Sequence, residues 1–421
     1  MFFAQLAAAV GFSLIFPFFP LYVEELGSST GLSVELLAGL VVSAQAFTMM
    51  ITAPVWGALA DRYGRKLMVQ RAAFGGAGII ALMGFVTSAE QLVLLRAVQG
   101  LVTGTVSAAN ALVAANTPRE HTGFAMGTIQ MGLWSGVAVG PLLGGILSDT
   151  FGYPITFVLT GVLLAVSGIT VTLGVHETFT PSSTSQSHRG GMVRSMVGEW
   201  RHVVLTPGVG TTFLARFLNG LSRSMLVPIT PLFVASLVVS GEGVNTVTGL
   251  VVGSASAAAT FSAVYLGRLG DRIGHRKIFV ASALAAGLFF VPHAIVADAW
   301  QLLVLHMLTG AAGGGAVASL SALLARYTAP GEEGAVYGLD NSIEASARTV
   351  APLIGATVAV WFGLRGAFVA AGMLLFATAF LAARLLPKPA ARRAGVQAPP
   401  RKADARAKPA ISEIEAKSHG K

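Results

Sequence analysis

The chain contains no cysteine, which excludes a disulfide framework, a thiolate metal site and a cysteine nucleophile and leaves the redox compartment unmarked. Charge is scarce as well: Asp, Glu, Lys and Arg make up 11% of 421 residues against 54% hydrophobic, with a mean hydropathy of +0.71. A water-exposed globule of this length needs charge spread over its surface, so a soluble fold is excluded and the chain belongs in a bilayer. It has no nucleotide-binding P-loop, no HExxH helix and no GxSxG elbow, and no segment between its apolar runs is large enough to house a catalytic domain. An enzyme is therefore not expected, nor a cofactor, nor a metal.

What is present is a succession of long apolar runs. Crossing about 30 Å of hydrocarbon at 1.5 Å per residue takes about 20 residues. Twelve runs meet that length, near 2–23, 36–56, 67–88, 91–115, 123–147, 154–175, 207–237, 244–266, 278–297, 300–325, 335–361 and 366–386. The first lacks a basic leader and a small-residue cleavage site, so it reads as a helix rather than a signal peptide. An all-α integral membrane protein follows. Its organisation is a six-helix unit over 1–175, a central segment over 176–206, a second six-helix unit over 207–386 and a basic, disordered tail over 387–421. Within the central segment, MVRSMVGEWRHV (192–203) reads as a short amphipathic helix at the membrane surface.

The net charge of +9 is one-sided in its placement. Arg62, Arg65, Lys66, Arg71, Arg119, Arg189, Arg194, Arg201, Arg268, Arg272, Arg276, Lys277 and Arg326 fall on one side of the runs, whereas Arg365 alone falls on the other, among Glu24, Glu25, Glu35, Glu90, Asp149, Glu242 and Asp298. The basic side is expected to be cytoplasmic, with both termini. The excess positive charge is accounted for by these loops and the tail, so anionic lipid rather than nucleic acid is the expected partner.

The two halves repeat at an offset of 210 or 211 residues. Pro17 and Pro20 match Pro228 and Pro231; Gly57, Asp61, Arg62 and Gly64 match Gly267, Asp271, Arg272 and Gly274; Arg96 and Gly100 match His306 and Gly310; Pro141 and Gly144 match Pro352 and Gly355. Six-helix repeats of this kind are the mark of transporters that alternate access around a midplane site.

On these residues the chain resembles the major facilitator superfamily, and within it the twelve-helix drug/proton antiporter branch of bacterial multidrug exporters of the fosfomycin and deoxycholate resistance type. The resemblance runs from about residue 2 to 386. GALADRYGRK (57–66), with Gly57, Asp61, Arg62, Gly64, Arg65 and Lys66, and its copy carrying Asp271 and Arg272 look like the superfamily's cytoplasmic gate motif. Glu120 is an expected partner for Arg65. Gly127, Gly136, Gly140, Pro141, Gly144 and Gly145 look like the antiporter motif of the fifth helix, where glycines on one face permit close backbone approach. The resemblance implies proton-coupled efflux of small amphiphilic molecules by a monomer in the inner membrane; an exporter of one metabolite, sugar or lipid would share the same fold.

Several polar groups lie within the runs. Arg96 and Gln99 fall in the fourth, where the arginine either faces the interior with a partner or snorkels to the outer edge. Arg216, Asn219 and Arg223 form a stripe on the seventh, and Asp340, Glu344 and Arg348 one on the eleventh. Glu344 is the expected proton carrier, unless it and Arg348 only neutralise each other; Asp340, near the helix end, reads as solvated. His306 is expected to be a packing histidine. Four arginines against two carboxylates, and no acid within the first helix, favour anionic, zwitterionic or neutral amphiphiles. Phe47, Met49, Met50 and Trp56 form an apolar wall facing either the cavity or lipid.

Overall fold

A computed structural model describes residues 1–104, 122–177, 208–238, 243–328 and 333–387, with 109, 110, 112, 113, 117 and 206. The expected amphipathic helix at 192–203, the basic tail from 388 and Glu120 lie outside the described residues. The first span is broken in two, α1 (Phe2–Ile15) and α2 (Phe19–Leu26), by a 3₁₀ turn holding Pro17. Proline removes a backbone donor and crowds the preceding turn, so the helix breaks where Pro17 and Pro20 stand. Next come α3 (Val34–Tyr63), α4 (Arg65–Met83) and α5 (Ala89–Val102). The fifth and sixth spans form α6 (Thr122–Gly174), interrupted only at Gly152.

The second half repeats the pattern. The seventh span is α7 (Val209–Met225) and α8 (Ile229–Leu237), parted at Pro228; α9 (Val244–Ile273), α10 (His275–Phe290) and α11 (Ala299–Tyr327) follow. The last two spans are α12 (Glu333–Leu385), interrupted at Gly363. Among the described residues eight stretches are long and apolar enough to cross a membrane, and two of these, Phe124–Gly174 and Val336–Leu385, are double length. With α4 and α5 the segments number twelve.

Two of the expected loops are single residues. The sequence placed gaps at 148–153 and 362–365, but Gly152 (φ +78°) and Gly363 (φ +73°) alone separate helix from helix. Only glycine adopts that backbone freely, so one residue turns the chain where several were expected. Gly64 (φ +97°) and Gly274 (φ +100°) do the same between α3 and α4 and between α9 and α10. Both pairs stand at the repeat offset.

The packing also repeats. Tyr22 meets Phe157 with ring centroids 5.1 Å apart, and their counterparts Phe233 and Phe368 are 5.1 Å apart. A side chain at Gly100 would overlap the carbonyl of Gln45, and one at Gly310 that of Ala255; Gly144 lies on the carbonyl of Leu14, and Gly355 on that of Met225. These pairs keep the same spacing in the two halves, so the repeat extends to the contacts that hold each half together.

Candidate functional site

Helix α6 carries the glycine motif against α1. A methyl group at Gly136 would meet Ala9, one at Gly140 would overlap the Ser13 hydroxyl, and one at Gly144 would overlap the carbonyl of Leu14. The Ser13 hydroxyl lies 2.7 Å from the Ala9 carbonyl and 2.9 Å from the Gly136 carbonyl, tying the two helices at their closest approach. Gly145 faces the other way: it and Gly249 bring α6 and α9 together, Gly145 onto the carbonyl of Asn245 and Gly249 onto that of Pro141. Gly127 departs from the expectation of close approach, because nothing lies within 4 Å of where its side chain would be. Gly144→Val is accordingly expected to cost several kcal/mol, beyond the about 1–3 kcal/mol of ordinary overpacking, while Gly127→Val is near neutral. Melting of the two purified variants in detergent checks the contrast, and equal melting points would refute it.

The same end of the two helices carries a polar clasp that the sequence did not reveal. Asp149 on α6 accepts from the backbone N–H of Asn245 (3.2 Å) and Thr246 (2.7 Å) and from their side chains (2.9 and 2.6 Å) at the first turn of α9. The Tyr153 hydroxyl donates to Asn245 Oδ1 at 2.9 Å. A carboxylate at a helix N-terminus satisfies orphan amides and opposes the helix dipole. Asp149→Ala is expected to loosen this turn by about 1 kcal/mol, which hydrogen exchange reads as several-fold faster exchange at Asn245 and Thr246.

At the opposite end, Gly64 turns the chain into α4, whose first amides are capped from within the same half. Glu177 accepts from the N–H groups of Arg65 (2.9 Å) and Lys66 (2.8 Å), and Lys66 Nζ donates to the Thr172 carbonyl at 2.9 Å. Arg62 stacks over Tyr63 at 5.3 Å, and Asp271 Oδ1 accepts from His275 Nε2 at 3.1 Å. Arg272 and Gly57 are exposed, and nothing lies within 4 Å of a side chain built at Gly57. The backbone of Asp61 lies in the last turn of α3. Arg71, assigned to this loop from the sequence, lies two turns inside α4.

Within the spans the arginines divide by their partners. Arg96 is 3% exposed, so it does not snorkel. It donates to the Val41 carbonyl (3.0 Å), Gln99 Oε1 (2.6 Å) and Gln45 Oε1 (3.1 Å), and lies 4.3 Å over the Phe19 ring. All of these partners are neutral. Arg216 on α7 instead forms a two-pronged pair with Asp340 on α12, Nε to Oδ1 at 2.9 Å and Nη2 to Oδ2 at 2.6 Å, with Ser321 Oγ at 3.3 Å from Nη2. Asp340 is 5% exposed, which corrects the expectation that it is solvated.

Glu344 and Arg348 bond one turn apart on α12, Nη2 to Oε1 at 2.5 Å, with both side chains open to solvent. Arg223 lies against Gly313 of α11, its backbone one turn beyond buried Asn219. Arg216, Arg223 and Arg348 all act electrostatically on Glu344, so the five charges form one cluster between α7 and α12 with a net charge of +1. The structure therefore brings the two polar stripes together, and pairs Asp340 with Arg216 rather than with its neighbour on α12. Arg96 and Gln99 form a separate centre in the other half. Met50 Sδ lies 3.8 Å from Ser346 Oγ on α12 and so faces the opposite half, while Phe47 and Met49 are exposed. His306 packs on His293 (Nδ1 to Nε2 3.3 Å) and edge-on to Phe368, as a packing histidine does.

The profile of the Major Facilitator Superfamily matches residues 1–210 and 212–416. The multidrug resistance protein MdtG of Citrobacter koseri is 36% identical over 366 residues, covering 87% of this chain and 89% of its own. Among solved structures, the nucleoside transporter NupG superposes with a TM-score of 0.77 at 12% identity, over 91% of this chain and 99% of that one. A bacterial homolog of the human lysosomal transporter Spinster, solved inward-facing and unoccupied, gives 0.73 at 14% identity, over 92% and 97%. The glycine-borne repeat, the two six-helix halves and these matches agree, and the chain belongs to the major facilitator superfamily.

Proposed function

We propose that the protein exports small amphiphilic molecules, drugs among them, by alternating access, and that inward movement of protons drives the export. Halves 1–175 and 207–386, joined by 176–206, rock against each other as units. The basic face and both termini lie in the cytoplasm, the chain sits in the inner membrane as a monomer, and its basic tail rests on anionic lipid. With that orientation the end closed by Gly145, Gly249 and Asp149 is the outer one. No catalysis is assigned.

The single observation that carries proton coupling is the Glu344–Arg348 pair. A carboxylate within a membrane span, open to solvent and bonded to an arginine at 2.5 Å, has two stable states. Ionised, it holds Arg348; protonated, it releases it. Coupling alternating access to protons needs such a group, whose charge differs between the two faces. The test is drug-triggered proton movement in proteoliposomes with an imposed pH gradient. Proton flux that begins on adding drug supports antiport; drug movement with no proton flux removes the coupling and leaves a facilitator or a differently driven exporter.

A further inference from the structure

A groove of about 710 Å³ lies beside the Gly64 end of the first half, between α4, the end of α5 and the end of α6. Its volume is within the range of about 300–1,000 Å³ typical of ligand sites. The walls are apolar: Leu67, Phe74, Val102, Ile169 and Leu173. It opens outward, where Leu67 is 49% and Leu173 76% exposed, which is the surface a membrane protein turns to lipid. It is separate from the charged cluster between α7 and α12.

One charged group lines it. The Arg71 guanidinium stacks 3.3 Å over the Trp56 ring, and Trp56 is held by its own bond from Nε1 to the Leu101 carbonyl at 2.7 Å. Stacking covers the flat face of the cation but leaves its in-plane N–H groups needing acceptors. Among the described residues Nε and Nη1 have none, although both are shut off from water. Arg71 is the seventh residue of α4, about 9 Å along the axis from the helix start. At the rim, Gln70 bonds Thr172 at 2.8 Å, and Lys66 adds a second positive charge.

We propose that this groove is a binding site for one anionic phospholipid of the adjoining leaflet. The phosphate diester meets Arg71, a planar donor suited to two-pronged phosphate binding, and an acyl chain lies along Leu67, Phe74 and Ile169. The guanidinium turns its edge from the wall toward the phosphate, which gives its orphan N–H groups their acceptors. The site requires only that the chain spans a bilayer and does not depend on proton coupling.

Native mass spectrometry of the delipidated full chain, titrated with phosphatidylglycerol or phosphatidylcholine, tests the proposal. The wild type is expected to retain one phosphatidylglycerol about tenfold more tightly than phosphatidylcholine: both offer a phosphate, but the choline cation cancels the net charge that Arg71 and Lys66 attract. Arg71→Gln should bring the two lipids to within about twofold of each other, Lys66 keeping the remainder. Ile169→Trp, which fills the groove and keeps the charge, should lose the tight phosphatidylglycerol. An unselective wild type, or the wild-type preference surviving in either variant, overturns the site.

Discussion

Glu344→Gln is expected to abolish drug-triggered proton movement while leaving downhill drug movement in place. Glutamine keeps the shape and a hydrogen-bonding oxygen for Arg348 but has no proton to gain or lose, so the pair loses one of its two states. Asp340, the other carboxylate well inside a span, is a poorer carrier on geometry: both its oxygens are taken by Arg216 at 2.9 and 2.6 Å, and it is 5% exposed. Glu344 keeps only one bond to a solvent-open arginine. The measurement is proton uptake by proteoliposomes on adding drug, wild type against variant. Uptake in the variant at the wild-type rate would transfer the role to another group, and loss of both uptake and drug movement would make Glu344 a structural residue.

Asp340→Ala is expected to cost a large part of the protein's stability. Arg216 and Asp340 have side chains 14% and 7% exposed, and removing one member of a buried pair leaves the other charge without compensation, a cost of about 3–5 kcal/mol. Removing both members is milder, because neither charge is then stranded. A double variant, Arg216→Leu with Asp340→Leu, is expected to recover much of the loss. Thermal melting in detergent checks this; a single variant as stable as the wild type would mean that water already reaches Arg216.

The division between these two carboxylates was not visible in the sequence. Asp340, Glu344 and Arg348 follow the helical spacing, and that spacing correctly pairs Glu344 with Arg348. It is silent about Arg216, 124 residues from Asp340, since the pairing depends on how α7 and α12 are turned about their axes. Asp149 on the first turn of α9 and Glu177 on that of α4 are hidden for the same reason: each joins distant segments. The halves themselves were legible because glycine and proline act locally. Pro17 breaks the first span and Pro228 the seventh, and Gly64 and Gly274 hold a backbone angle that other residues resist. The tight turns at Gly152 and Gly363 were missed although the residues were in plain view, because a single-residue joint between spans is shorter than the expected loop.

Arg96 illustrates a middle case. Its depth in a span argued for a partner without saying which, and the structure supplies three neutral acceptors and an aromatic face. Among the described residues Arg96 therefore has no carboxylate bonded to it, while at the matching place the other half carries His306, packed on His293 and edge-on to Phe368. The repeat is thus strict in backbone and loose in chemistry.

The glycine contacts explain how that looseness is tolerated. Gly144 on the Leu14 carbonyl, Gly355 on that of Met225 and Gly249 on that of Pro141 are main chain laid on main chain. A scaffold fastened this way does not depend on which side chains stand elsewhere on the same helices. Interior residues other than buried pairs such as Arg216–Asp340 are then free to drift over generations without unseating the bundle, so the range of molecules carried can be retuned by single substitutions while the framework is inherited unchanged.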